Sequence, residues 1–533
     1  MKKDPALPWL LAGWALFAVA SIWLRPLWPV DETRYASVAW EMWLRGDFLV
    51  PYVNGEPYSH KPPLLFWLIH LGWGLFGVND WWPRLVGPLC ALGSVPLLLR
   101  LGRLLWPEER EAHVSAVWVL FGTLLFAAFV TLTMMDLLLM LCTMAAMVGV
   151  LTLAQGEKRT GLLWLGAGIG LGVLAKGPVV LLHVLPAALA APWWAPQLKA
   201  KLARWYLDLL LGVLLGAALA LAWALPAGYA GGEAYRNAIF WGQTAGRVAE
   251  SFAHRAPWWY YLPFLPLILF PWFVWPRFWK GFVATGLRDH GNRFLLAWLL
   301  LTLIGFSLVS GKQVKYLVPL LPAFALLAGR TLGKAKAPAR WWEMLPPALG
   351  FLALPAFLAY ARTRPAAMKL PEWWVANIPL WPIVILALAA LALLFVCRKE
   401  TAIQVRVLAF AVLASLSVAG AGLVPAYIPY SDPGPAARHL AALQDAKVRL
   451  AHLGKYHAQY NFVGRLRAPI EILDPKEVNG WVAAHPAGEV ITIEPRRHDG
   501  PGGSGPEYQA PFRGAWVQVW RGAALLVARP ELR

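Results

Sequence analysis

Charge and cysteine are both scarce in this chain. Only 14% of its 533 residues are charged, with 29 acids against 48 Lys and Arg. A soluble domain of this length would carry about a quarter charged residues, so the chain is not a soluble globular protein. No basic run is long enough to track a phosphate backbone, which sets aside a nucleic-acid reading of the +19 net charge. The three cysteines, Cys90, Cys142 and Cys397, lie in or at the ends of apolar runs without CxxC or Cys/His spacing. They read as small buried hydrophobes, giving neither a structural zinc site nor a disulfide framework.

What is abundant is hydrophobic sequence: 59% of residues, with a mean hydropathy of +0.52 and 32 tryptophans. Long apolar runs separated by short charged connections define a polytopic helical membrane protein, because only helices satisfy their own backbone within a bilayer. Paired tryptophans at run ends (193–194, 258–259, 341–342, 373–374) form interfacial belts. Runs of the required length predict about 13 spans. Their limits are 8–24, 84–105, 113–133, 136–153, 160–175, 177–195, 205–228, 258–275, 293–310, 316–330, 342–360, 376–397 and 404–425. The run 62–77 is short, opens on Pro62-Pro63 and reads as an interfacial helix. Lys2-Lys3 and the run after them also fit a signal peptide ending near Ala20. The run continues to Leu24, however, which favours an uncleaved first helix.

If Lys2 and Lys3 are cytoplasmic, most basic connections alternate onto that side, as the positive-inside rule requires. The opposite side then collects Asp31, Lys61, Asp136, Lys176, Arg236, Arg247, Arg255, Lys312, Lys315 and Tyr316. Ionisable residues at membrane depth need partners or a function. Asp31-Glu32, with Arg34 and Tyr35 following, could accept a nucleophile's proton or merely open a helix. Tyr58, His60 and Lys61 precede two prolines, so Lys61 is fixed at an interface, as a phosphate partner or as a snorkelling lysine. Lys176-Gly177-Pro178 interrupts an apolar stretch, and His254-Arg255 precede four interfacial aromatics. Several cations, two or three carboxylates and apolar walls suit a lipid-linked phosphate donor entering sideways from the bilayer.

After Tyr430 the composition changes. Ser431–Pro435 reads as a linker to a domain with helix 436–445, strands near 448–453, 489–493 and 515–520, and a flexible loop around 500–506. The expected division is 1–429, a membrane domain with juxtamembrane helices at about 31–78, and 430–533, a small α/β domain on the outer side.

Taken in order, Asp-Glu-x-Arg-Tyr-Ala, Lys-Pro-Pro, Asp136, Lys-Gly-Pro, His-Arg-Ala-Pro-Trp-Trp-Tyr-Tyr and Gly-Lys-x-x-x-Tyr resemble the C-type integral-membrane glycosyltransferases. The resemblance is to the bacterial branch of lipid A 4-amino-4-deoxy-L-arabinose transferases, related to protein O-mannosyltransferases, and covers roughly residues 8–330. It implies an all-α polytopic C-type glycosyltransferase fold in a bacterial inner membrane. It also implies transfer of a sugar from undecaprenyl phosphate to a lipid or glycan acceptor, lipid A foremost, on the periplasmic side with inversion. By the same resemblance, Asp31 and Asp136 match the family's catalytic acids. Lys61, Lys176, Arg255 and Tyr316 match its donor-phosphate positions. Glu32, Arg34, Tyr35, Tyr58, His60, His254 and Lys312 are acceptor or auxiliary candidates. One departure stands out: the branch carries Glu before Lys-Pro, where this chain has His60. The acceptor site there and any divalent cation are left open. The alternatives are a protein O-glycosyltransferase of the same fold and a lipid-linked-sugar flippase. A flippase would place charges near mid-span.

Overall fold

The computed structural model describes residues 4–242, 255–287, 289–335, 340–365, 372–396, 399–498 and 505–532. Cys397 and the expected loop at 500–504 lie outside the described residues.

Helices dominate up to residue 430. Helix α1 (Leu7–Leu24) is followed by the amphipathic α2 (Asp31–Arg45), which packs Tyr35, Val38, Ala39 and Met42 inward. A two-residue hairpin, β1 (Tyr52–Val53) with β2 (Glu56–Pro57), leads to α3 (Leu64–Phe76). At 13 residues, α3 extends only about 20 Å, too short to cross a bilayer. Then come α4 (Trp81–Leu105), α5 (Arg110–Phe121), α6 (Leu124–Val130), α7 (Met135–Ala154), α8 (Lys158–Lys176) and α9 (Val179–Leu189).

Among the described residues eight helices are long and apolar enough to cross a membrane, or nine if α5 and α6, bent by 61°, form one span. This is fewer than the expected thirteen, and the difference has local causes. Three further apolar helices, α3, α9 and 381–396, are shorter. The run expected to span 258–275 is instead one 3-10 turn, one α turn and further turns, because Pro263, Pro266 and Pro271 remove backbone donors a helix needs.

Helices α7 and α8 pack backbone to backbone. A Cβ on Gly149 would lie 2.3 Å from Leu165 N, and one on Gly168 would lie 2.4 Å from Ala146 N. Small residues at such crossings let membrane helices approach closely. The start of α7 and the end of α8 therefore meet at one end of the helical body.

Beyond Tyr430, a helix at 434–445 precedes a five-stranded sheet. Its strands are β3 (Leu450–Leu453), β4 (Glu471–Leu473), β5 (Glu489–Glu494), β6 (Tyr508–Phe512) and β7 (Ala515–Arg521). The order is β4-β3-β5-β7-β6, with β3 parallel to β4 and β5 and the other pairs antiparallel. The two faces of the sheet carry separate cores, one around Tyr460 and Val519 and the other around Trp481 and Trp520.

Candidate active site

Lys-Gly-Pro is a corner. Gly177 at φ 86° ends α8, its amide donating to Val173 O at 2.7 Å, and Pro178 opens α9. This fixes Lys176 at the last helical position, facing the first turn of α7, where its Nζ meets Asp136 Oδ1 at 2.5 Å. Both side chains are buried, and each charge requires the other there. The same ammonium lies 4.9 Å from the ring centre of Tyr316. No side chain caps either α7 or α2, so neither Asp136 nor Asp31 serves as a helix cap.

Asp31 begins α2, where the helix dipole favours an anion. Its two oxygens are divided: Oδ1 accepts from Arg34 at 2.6 Å and Oδ2 from Lys315 at 3.1 Å. Burial pushes the Asp31 carboxyl up, but Lys315 and Arg34, with Lys61 behind them, hold it below its ordinary value. Arg34 lies in the field of Tyr58 and Tyr35 as well as Asp31. Burial raises the Tyr35 phenol well above its usual range, Asp31 and Tyr58 adding to the rise and Asp136 contributing last. The two carboxylate–cation pairs are therefore electrostatic neighbours across Tyr35.

Glu32 faces elsewhere. Arg25 grips it at 2.5 and 3.0 Å, and the amides of Trp28 and Thr133 donate to it at 2.8 and 2.6 Å. Arg25 also donates to Thr131 O. This buried bolt ties the α1–α2 connection to the loop that delivers Asp136. Lys312 is likewise engaged: its Nζ donates to Ala256 O at 2.9 Å and Val309 O at 2.6 Å, clamping two loops together. Arg255 pairs with Gly311 in a one-residue bridge, which brings it beside the segment bearing Lys315 and Tyr316. His60 is exposed, with its ring 5.4 Å from that of Tyr58. His254 and Arg247 lie outside the described residues. Arg236, in the helix 232–237, pairs instead with the Tyr229 ring at 6.0 Å. Among the described residues no three His, Cys, Asp or Glu side chains converge as metal ligands.

Two participants were poorly marked in the sequence. Lys315, not Lys312, reaches Asp31, and only the 3-10 turn 314–320, which sets Lys315 and Tyr316 side by side, distinguishes the two lysines. The other is the C-terminal segment around His457, which lies within electrostatic range of Arg34 and Asp31 despite more than 400 intervening residues.

The fold and this paired-charge site define an integral-membrane protein of the C-type glycosyltransferase class. Residues 60–223 match the family described as dolichyl-phosphate-mannose-protein mannosyltransferase. A Pseudomonas fluorescens undecaprenyl phosphate-alpha-4-amino-4-deoxy-L-arabinose arabinosyl transferase is 31% identical over 70% of this chain and 68% of that protein. A Pseudomonas aeruginosa protein of the same name is 33% identical over 68% and 67%. With another P. fluorescens relative, 33% identical over 62% of this chain, the match spans 60% of the relative's length. ArnT from Cupriavidus metallidurans, solved with undecaprenyl phosphate bound, shares the fold. Its TM-score is 0.77 at 18% identity, over 97% of this chain and 98% of that one. The chain belongs to the undecaprenyl phosphate-4-amino-4-deoxy-L-arabinose arabinosyl transferase family.

Proposed function

We propose that this protein transfers 4-amino-4-deoxy-L-arabinose, or a closely related sugar, from undecaprenyl phosphate to lipid A or another cell-envelope lipid or glycan. The reaction takes place at the periplasmic face of the bacterial inner membrane. The observation that carries this reading is the buried Lys176–Asp136 pair against Tyr316, beside the Asp31–Arg34–Lys315 group.

The acceptor oxygen attacks the anomeric carbon while the bond from that carbon to the donor phosphate breaks. Undecaprenyl phosphate departs with the electron pair, so one displacement inverts the configuration. Lys176, Arg255 and Lys61 stabilise the charge that grows on the leaving phosphate, with Tyr316 bracing Lys176. Preformed cations are effective here because little reorganisation is needed. Asp31, kept ionised by its cations, takes the proton of a hydroxyl acceptor. A phosphate acceptor has no proton to give up at the attacking oxygen, and Asp31 then orients it or balances positive charge on the sugar ring.

The test is sugar transfer by the purified protein in lipid, followed by mass spectrometry, with undecaprenyl-phosphate sugars as donors and an envelope lipid extract as acceptor. A glycosylated lipid that disappears in Asp31→Asn supports the proposal and names sugar and acceptor together. A glycosylated protein instead of a lipid reassigns the acceptor. Movement of labelled donor across sealed vesicles without transfer refutes the enzyme reading in favour of a flippase.

A further inference from the structure

The segment Val314–Gly333 runs through the helical body as one rod, its 3-10 turn 314–320 passing directly into a helix at Leu321–Gly333. At about 2.0 Å per residue in the turn and about 1.5 Å in the helix, Lys315 and Arg330 stand about 25 Å apart along it. From Leu317 to Gly329 the rod carries no polar side chain, and every residue from Leu317 to Leu332 is buried. Apolar contacts are non-directional, so directional anchoring comes only from the two ends. At the near end, Lys315 holds Asp31 at 3.1 Å and the Tyr316 ring meets Lys176 at 4.9 Å.

The far end is a buried charge cluster that the chemistry does not use. The rod lies against the backbone of α5 there, where a Cβ on Gly329 would sit 2.4 Å from Ala116 N. That close approach lets Arg330 reach the turn before α5. Its Nε and Nη2 donate to the two oxygens of Glu109, each at 2.8 Å. Nη1 lies 2.7 Å from Asp289 Oδ1 and 3.1 Å from Asn292 Oδ1, and Nη2 lies 3.1 Å from Asp289 Oδ2. The guanidinium sits 4.3 Å from the ring centre of Trp106, whose Nε1 donates to Asp289 Oδ1 at 2.9 Å. Asp289 also caps the helix His290–Leu296 through Asn292 N at 2.9 Å. One guanidinium thereby joins the rod to the end of α4, the start of α5 and a third helix.

We infer that this cluster is a latch and Arg330 a positioning residue: by fixing the height of the rod, it fixes how far Lys315 reaches toward Asp31 and where Tyr316 meets Lys176. Its role rests on the transfer reading above and deepens it, adding a residue remote from the reacting groups. Asp31 is faced by Arg34 and Tyr35 from its own helix, by Lys61 from the segment before α3, by His457 from the C-terminal loop and by Lys315 from the rod. Tyr58 and Asp136 lie beyond Tyr35. Of all these groups only Lys315 rides on the rod. Burial pushes the Asp31 carboxyl up and Lys315 is foremost among the charges holding it down, so a slipped latch moves its titration to higher pH.

The test uses the full-length protein in nanodiscs. Arg330→Met removes the latch, and Arg330→Lys keeps the charge without the fork. Asp289→Asn loosens the latch while keeping a side chain that caps helices well. The control is Arg406→Met, which breaks the Asp4–Arg406 pair at 3.0 Å on a helix that carries no site cation. Melting temperature is measured with kcat and KM across pH. The Asp31 carboxyl is titrated by infrared spectroscopy, through the band that Asp31→Asn lacks. Arg330→Met is expected to lower kcat on the order of 100-fold, the scale of a misplacement of about 1 Å, with Arg330→Lys and Asp289→Asn in between. In all three the acid limb of the rate profile and the infrared midpoint move to higher pH, while the control leaves both at wild-type values. If Arg330→Met does not fold, the two milder variants carry the comparison. A loss of stability or kcat with an unmoved midpoint is what a merely structural role predicts, and it overturns the latch. So does a control that moves the midpoint as far. The infrared midpoint is read without turnover. A wild-type protein that transfers nothing thus refutes the transfer reading alone, and the midpoint still decides the latch.

Discussion

Asp31 and Glu32 are adjacent carboxylates, yet their surroundings assign them opposite duties, and replacing each by its amide separates those duties. Glu32 is buried and accepts four hydrogen bonds, two from Arg25 and one each from the Trp28 and Thr133 amides. Glu32→Gln removes the charge and turns an acceptor oxygen into a donor, leaving Arg25 uncompensated in a site 7% exposed. Breaking one side of a buried ion pair costs about 3–5 kcal/mol, so a clear drop in melting temperature is expected. The bolt also sets the spacing between Asp31 and the loop carrying Asp136, and a displacement of about 1 Å at reacting groups costs on the order of 100-fold in rate. Glu32→Gln should therefore lose stability and activity together. Asp31→Asn, at a carboxylate with a third of its side chain exposed, should melt close to wild type while losing transfer. The assay is thermal unfolding of each variant in the same detergent, paired with transfer measured by mass spectrometry. Wild-type melting of Glu32→Gln with loss of transfer would refute the bolt and make Glu32 a direct participant in the chemistry.

Lys176→Met leaves Asp136 buried without its cation and should destabilise the protein by about 3–5 kcal/mol. Adding Asp136→Asn should recover the stability but not the transfer, which paired melting and activity measurements would reveal. The Asp31 carboxyl lies below its ordinary value, so its contribution to stability is present above the unfolded-state value and is lost as pH falls through the lower folded one. Lys315→Met removes the strongest of the charges holding it down. The acid limb of the pH–rate profile should therefore move to higher pH, and a fixed or downward-moving limb contradicts the assignment. Phe462→Ala empties a fully buried site against Trp73 and should cost about 3–5 kcal/mol, with transfer falling as α2 loses its support; unaltered melting would show that the contact is dispensable.

The apolar run lengths and the distribution of Lys and Arg by themselves determined the membrane class and the set of ionisable residues expected to share one face. Lys-Gly-Pro was legible as a corner because glycine and proline act locally, whatever surrounds them. The proline-rich stretch 258–275 shows the limit of hydropathy, which registers apolar character but not the missing donors that break the helix. Pairing was decided only by tertiary structure. Nothing local distinguishes Glu32 from Asp31, or Lys312 from Lys315, since a side chain's partner depends on which distant loop arrives beside it. The seating of Ala458 and Phe462 against Ser37 of α2 is likewise a contact across more than 400 residues. Composition and local pattern set which groups can exist at the membrane surface. Packing alone sets which of them meet, because burial forces each charge onto whatever counter-charge the fold brings within reach.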